Sequence, residues 1–105
     1  MSYKWPDKDP DEIIDYSVDW SRFLDTDTIS SVTWYIDDAD GVKTQVTNAD
    51  IVNGLQFVSG TNTTTVATIR VSLGTTNIRY NITCRVTTAS GLQYERSIFL
   101  RVRDK

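Results

Sequence analysis

A chain of 105 residues with 39% apolar side chains has room for one hydrophobic core rather than two, and is too apolar to stay disordered. The net charge of −3 and the absence of histidine argue against a nucleic-acid binder and exclude the Ser-His and Cys-His forms of nucleophilic catalysis. No apolar run nears the roughly 18 residues of a membrane-spanning helix, and Met1 to Pro6 does not open as a secretory signal, so the expectation is a chain made in a cytoplasm and kept out of membranes.

Residues 1–12 read as an extended arm ahead of the domain, because Pro6 and Pro10 bias their predecessors toward extended backbone and the surrounding charges give no reason to collapse. Tyr3 and Trp5 in such an arm need somewhere to dock, on the domain itself or on a partner. Tyr3, Lys4, Trp5, Pro6, Asp9 and Asp11 are therefore the candidate partner-binding residues.

From Ile14 the pattern changes: Ile14, Tyr16, Val18 and Trp20 alternate with Asp15, Ser17, Asp19 and Ser21, the period of a strand with one buried face. Phe23 and Leu24 end it, and Asp25 to Thr28 form a turn. Ser30 to Ile36 turns Val32, Trp34 and Ile36 inward, with Trp34 as the large central ring. Asp37 to Gly41 then closes a hairpin onto a short strand through Val42, Thr44 and Val46.

Asp37, Asp38 and Asp40 before Gly41 invite a calcium site. With Gly41 in the glycine place of a helix-loop-helix calcium loop, however, Ile36 and Thr47 would occupy the first and last ligand places, so a turn is the better reading. A looser site sharing Asp25 and Asp27 is the alternative, and no cofactor is expected.

Residues 47–58 suggest an irregular crossing with Ile51, Leu55 and Phe57 buried and a short strand at Leu55 to Val58, followed by a polar loop from Ser59 to Thr63. A strand resumes at Thr65 with Ala67, Ile69, Val71 and Leu73 inward. The clearest strand comes next: Ile78, Tyr80, Ile82, Cys84 and Val86 alternate with Asn77, Arg79, Asn81, Thr83 and Arg85. Cys84 is the sole cysteine, which rules out an internal disulfide and suggests a buried, inert thiol. After a turn at Thr88 to Gly91, the last strand places Tyr94, Ile98, Leu100 and Val102 on one face together with Arg96, a cation that either snorkels out or meets a carboxylate.

Charge is unevenly spread. Residues 1–28 hold three basic side chains against eight acidic ones, and residues 70–105 hold seven basic against two acidic. Either acidic and basic strands pair across a sheet, or the two ends present opposite patches to neighbouring subunits. The basic residues lack interleaved exposed aromatics, so no nucleic-acid partner is expected.

About seven strands and no long helix indicate an all-β sandwich. Leu73-Gly74 followed by a polar turn and Tyr80 at the head of an alternating run resembles the tyrosine corner of immunoglobulin-like and fibronectin type III domains, where the hydroxyl caps nearby backbone. Residues 13–105 are thus expected to form an immunoglobulin-like sandwich, with Trp20, Trp34, Ile69, Val71, Tyr80, Ile82, Cys84, Ile98 and Leu100 in its core.

The segments Lys8-Asp9-Pro10-Asp11-Glu12-Ile13-Ile14-Asp15-Tyr16, Asp19-Trp20-Ser21, Asp27-Thr28-Ile29-Ser30-Ser31, Arg85-Val86-Thr87-Thr88-Ala89-Ser90-Gly91, Glu95-Arg96-Ser97-Ile98 and Arg101-Val102-Arg103 occur in this order. Together they resemble a family of small virion proteins of tailed bacteriophages described as fiber-tail adaptors, from about residue 8 to the end. The resemblance implies a structural protein of the particle, without catalysis, whose partners are other virion proteins of tail, fiber or capsid, with a homo-oligomer in the particle as a further option. A capsid decoration (cement) protein is the alternative. A carbohydrate-binding module is a third, and it requires exposed Trp or Tyr rings on one face, whereas Trp20 and Trp34 alternate inward.

Overall fold

The structure, a computed structural model, describes residues 3–104. Met1 and Ser2 of the N-terminal segment, and Lys105 of the basic C-terminal end, lie outside the described residues. The described chain is all-β apart from one helical turn, α1 (Ser21–Leu24). Its strands are β1 (Tyr3–Lys4), β2 (Ile14–Asp19), β3 (Ile29–Asp37), β4 (Lys43–Val46), β5 (Ile51–Val52), β6 (Leu55–Asn62), β7 (Val66–Leu73), β8 (Arg79–Thr88) and β9 (Gln93–Arg101). They form two sheets, ordered β1-β9-β8-β3-β4 and β2-β7-β6-β5. The two-residue strands β1 and β5 lie at sheet edges and are too short to carry a period that sequence could reveal.

The inward faces of both sheets supply one core. Trp20, Trp34, Ile69, Val71, Tyr80, Ile82, Cys84, Ile98 and Leu100 are all buried in it, joined by Tyr16, Val18, Leu24, Val86 and Val102. Strand β8 lies at the centre of the larger sheet, paired antiparallel with β3 on one side and with β9 on the other over Arg79–Thr87. Burial pushes the Cys84 thiol up to about 12, so it stays protonated at neutral pH.

At one end of β8 the Tyr80 hydroxyl accepts the Thr75 amide proton at 2.8 Å and donates to the Asn53 carbonyl at 2.8 Å. The ring is buried, and its hydroxyl ties the β7–β8 connection to the β5–β6 turn. Gly74 in that connection has φ +106, and a Cβ there would lie 2.8 Å from Val102 Cγ2, so both backbone conformation and space require glycine.

Three expectations about the middle of the chain are corrected. Ile51 is 56% exposed and Val52 is buried instead, because the tight turn to Leu55 sets the pleat of β5. Leu73 is exposed and Ser72 is buried: at Leu73 the backbone enters the left-handed region, φ 61, which ends the alternation, and the Ser72 hydroxyl donates to Gln56 Oε1 at 2.8 Å. The stretch read as a polar loop from Ser59 continues β6 to Asn62, past a register shift between Phe57 and Ser59, with Gly60, Thr61 and Asn62 paired to Ile69, Thr68 and Ala67. Its side chains from Gly60 on are exposed, so the ladder to β7 rather than a buried face makes it a strand.

A candidate interaction surface along the sheet edge

The N-terminal segment lies along the outer edge of β9. Tyr3 and Lys4 pair in parallel with Ile98 and Phe99, the Trp5 amide donates to the Phe99 carbonyl, and Lys8 exchanges backbone hydrogen bonds with Arg101 and Arg103. The Trp5 ring stacks on Tyr16 with centroids 4.8 Å apart, and its indole N–H donates to the Ser17 carbonyl. The Tyr16 hydroxyl in turn donates to the Pro6 carbonyl at 2.8 Å; burial, with Glu12 and Asp7 adding negative charge nearby, pushes it up to about 12. Lys8 is completely buried, its ammonium donating to the carbonyls of Leu73 at 2.6 Å and Asp9 at 2.8 Å. Composition gave no sign of this, because a lysine between two aspartates reads as solvated.

Of the candidate partner-binding residues, Trp5 faces the sandwich and is half-buried. Tyr3, Lys4, Pro6 and Asp11 are exposed, and Lys4 lies 3.7 Å from Asp7. Asp9 accepts the Asp11 amide and its own amide donates to Glu12, which closes a turn.

Tyr3, Trp20, Phe23, Tyr94, Glu95, Arg96 and Ser97 line a cavity of about 350 Å³. The Arg96 guanidinium sits 4.2 Å from the Tyr3 ring centroid and 5.0 Å from those of Trp20 and Phe23. Trp20 meets Phe23 edge-on at 5.8 Å. Arg96 therefore neither snorkels free nor meets a carboxylate among the described residues: it stacks between rings whose faces are negative. Sequence marked Arg96 as anomalous, but rings from β1, the end of β2 and α1 cannot be assigned to it without the fold.

On the opposite seam a cavity of about 360 Å³ lies between β4 and β6, lined mainly by neutral polar groups, with the Trp34 indole nitrogen buried and lacking a hydrogen-bond partner among the described residues. Trp20 and Trp34 are both buried and present no flat exposed platform.

The acidic start and basic end of the chain meet in part. Asp15 pairs with Arg70 across β2 and β7 at 2.7 Å, which holds its carboxyl below the usual range, and Asp7 lies 3.5 Å from Arg103. On the outer face of the larger sheet Glu95 accepts from Lys43 at 2.7 Å and from Arg85, whose guanidinium also donates to the Tyr35 hydroxyl. Lys43 and Arg85 together keep the Glu95 carboxyl low.

The aspartates of the β3–β4 turn diverge. Asp37 accepts from Asn81, while Asp38 caps the amides of Asp40 and Val42. Asp27 holds the turn containing Ser90, whose hydroxyl makes a short hydrogen bond to it and is the main cause of its lowered pKa. Among the described residues no three His, Cys, Asp or Glu side chains converge as a metal site.

Nothing among curated proteins matches the chain. A family model described as podophage GP4 fiber-tail adaptor protein gp77 matches residues 8–101, which include every strand of the sandwich except β1. The chain belongs to this fiber-tail adaptor family of phage tail structural proteins.

Proposed function

We propose that the protein is a non-enzymatic part of the phage virion: an immunoglobulin-like sandwich, residues 13–105, that joins tail and fiber components through protein–protein contacts after synthesis in the host cytoplasm. The observation that carries this reading is the family match over residues 8–101. Its immunoglobulin-like character is supported by the antiparallel pairing of β2 to β9 in two sheets and by the Tyr80 hydroxyl bonded to backbone five residues upstream.

The electrostatics favour a passive part. A carboxylate pair that hydrolyses a glycoside needs one member raised, whereas Asp15, Asp19, Asp27 and Glu95 are all lowered by hydrogen bonds. The one thiol is sealed in the core. In this reading residues 1–12 act as a strap, with Tyr3, Trp5 and Lys8 holding it to the sandwich and Lys4 and Asp11 turned outward to a neighbour.

Cosedimentation of the purified protein with isolated tails and isolated heads tests the proposal. Binding to tails or fibers is the expected result. Binding to heads alone, together with trimer formation in light scattering, would replace the adaptor with a capsid decoration protein.

A further inference from the structure

We propose that Arg79 and Arg101, side by side on the outer face of the larger sheet, seat the carboxylates of an acidic segment of a partner virion protein; this rests on the adaptor reading above. The first observation is a like-charge pair in the ladder. Among the described residues four registers set charged side chains directly opposite each other: Asp15 with Arg70, Asp37 with Lys43, Arg85 with Glu95, and Arg79 with Arg101. The first three join opposite signs, and only the last sets cation against cation. Directly opposite residues have Cβ atoms about 5 Å apart, so like charges there repel unless an anion comes between them. No carboxylate among the described residues forms an ion pair with either arginine. The nearby acids are committed elsewhere: Asp7 lies against Lys4 and Arg103, Asp37 accepts from Asn81, and Glu95 is held by Lys43 and Arg85.

The second observation is that one guanidinium of the pair is already held in place. Arg79 lies 4.3 Å from the Phe99 ring centroid, and Arg85, on the same face of β8, lies 4.7 Å from that of Tyr35. The two stacked arginines differ in one respect: Arg85 meets Glu95 at 2.6 Å, and Arg79 meets no acid. A guanidinium resting on a ring keeps its planar N–H fork for a bidentate carboxylate. Arg101, exposed across the ladder, adds a second fork, and Lys4, exposed on β1 in register with Phe99, adds a further positive charge. This spot is local on a chain of net charge −3, and Asp7 and Asp37 flank it through their contacts with Lys4 and Asn81. A short acidic segment can reach the two arginines between those carboxylates, whereas they repel a long polyanion such as nucleic acid.

The test titrates the full-length, ¹⁵N-labelled protein with a short capped peptide carrying adjacent glutamates, and with its lysine counterpart. Saturable shifts of the Arg79 and Arg101 side-chain N–H signals with the glutamate peptide alone are expected, weakening as salt is raised. Arg101→Glu should reduce that binding by about tenfold or more. The same variant should raise the midpoint of denaturant unfolding, because it turns a repelling ladder pair into an attracting one. The raised midpoint certifies that the variant is folded, and an arginine pair kept for stability would move it the other way.

No shift in the wild type, an equal response to both peptides, binding unaffected by Arg101→Glu, or a lowered midpoint in that variant overturns the inference. So does duplex DNA bound as tightly as the glutamate peptide, or self-association that Arg101→Glu abolishes, which would seat a second copy there. Tighter peptide binding by a chain whose C-terminal carboxylate is carried away on a Gly-Ser extension also overturns it, since the chain would then fill the seat itself. Incorporation into particles separates the two levels. A wild-type chain that never joins tails defeats the adaptor reading, whereas one that joins tails equally well with Arg101→Glu defeats only the role given to the arginine pair.

Discussion

Two cations point into this sandwich from its N-terminal edge, and they are treated in opposite ways. Lys8 is fully buried and surrounded by oxygen: the Leu73 and Asp9 carbonyls take its protons, and the strap, the β7–β8 connection and the last strand close over it. Arg96 is half-buried and surrounded by carbon, the rings of Tyr3, Trp20 and Phe23. The Lys8 end also contains Tyr80 and Gly74, each with a geometry only that residue type satisfies. A buried cation supplied with carbonyls has its charge met by directed hydrogen bonds, whereas one supplied with rings has it met by their negative faces.

This contrast makes the Lys8 end the place where substitution should do most harm to stability. Lys8→Ala strips two carbonyls of their partner and opens a cavity, and should cost about 3 kcal/mol in denaturant unfolding. A loss near zero would mean that the strap is loosely held. Gly74→Ala, forced to φ +106 against Val102, should cost about 2 kcal/mol by the same measurement. Tyr80→Phe keeps the ring but leaves the Thr75 amide and Asn53 carbonyl unpaired, for a loss of about 1–2 kcal/mol.

At the other end Arg96→Met should change stability by about 1 kcal/mol, since its cation–π contacts are only half-buried and methionine keeps part of the side chain's packing. A loss as large as that of Lys8→Ala would make Arg96 a structural residue and erase the distinction.

Near neutral pH the smallest effects are those of titration, and they grow only toward the acid and alkaline extremes. Asp15, Asp19, Asp27 and Glu95 titrate below their ordinary values of 3.8 and 4.5 when folded. Their contribution is fully present above about pH 5 and is lost as pH falls through the lower folded values. Cys84 and Tyr16 are raised from 9.0 and 10.0 to about 12, so the unfolded chain ionises first and stability declines as pH rises from about 9 toward 12. Cys84→Ala should flatten the start of that decline, read as unfolding midpoint against pH.

Much of the sandwich was legible because strands with one buried face repeat every second residue. Tyr16, Val18 and Trp20, and later Tyr80, Ile82, Cys84 and Val86, announce their side of the sheet without any knowledge of the partner strand. The signal failed where backbone rather than burial made the strand. Gly60 to Asn62 is held by its ladder to β7 with exposed side chains, and at Leu73 a left-handed residue broke the alternation. The surface was legible only as anomalies: Tyr3 and Trp5 as aromatics in a polar segment, and Arg96 as a cation on an apolar face.

What the linear order of residues determined, then, was the class of fold, the identity of most core positions and the absence of histidine chemistry, because these depend on composition and on a period local to each strand. Tertiary structure alone decided that Lys8 is sealed beneath carbonyls, that Trp5 lies on Tyr16, and that three rings from separate elements gather around Arg96. Those arrangements join residues tens of positions apart, and a contact of that range depends on how the sheets are stacked and not on any spacing along the chain.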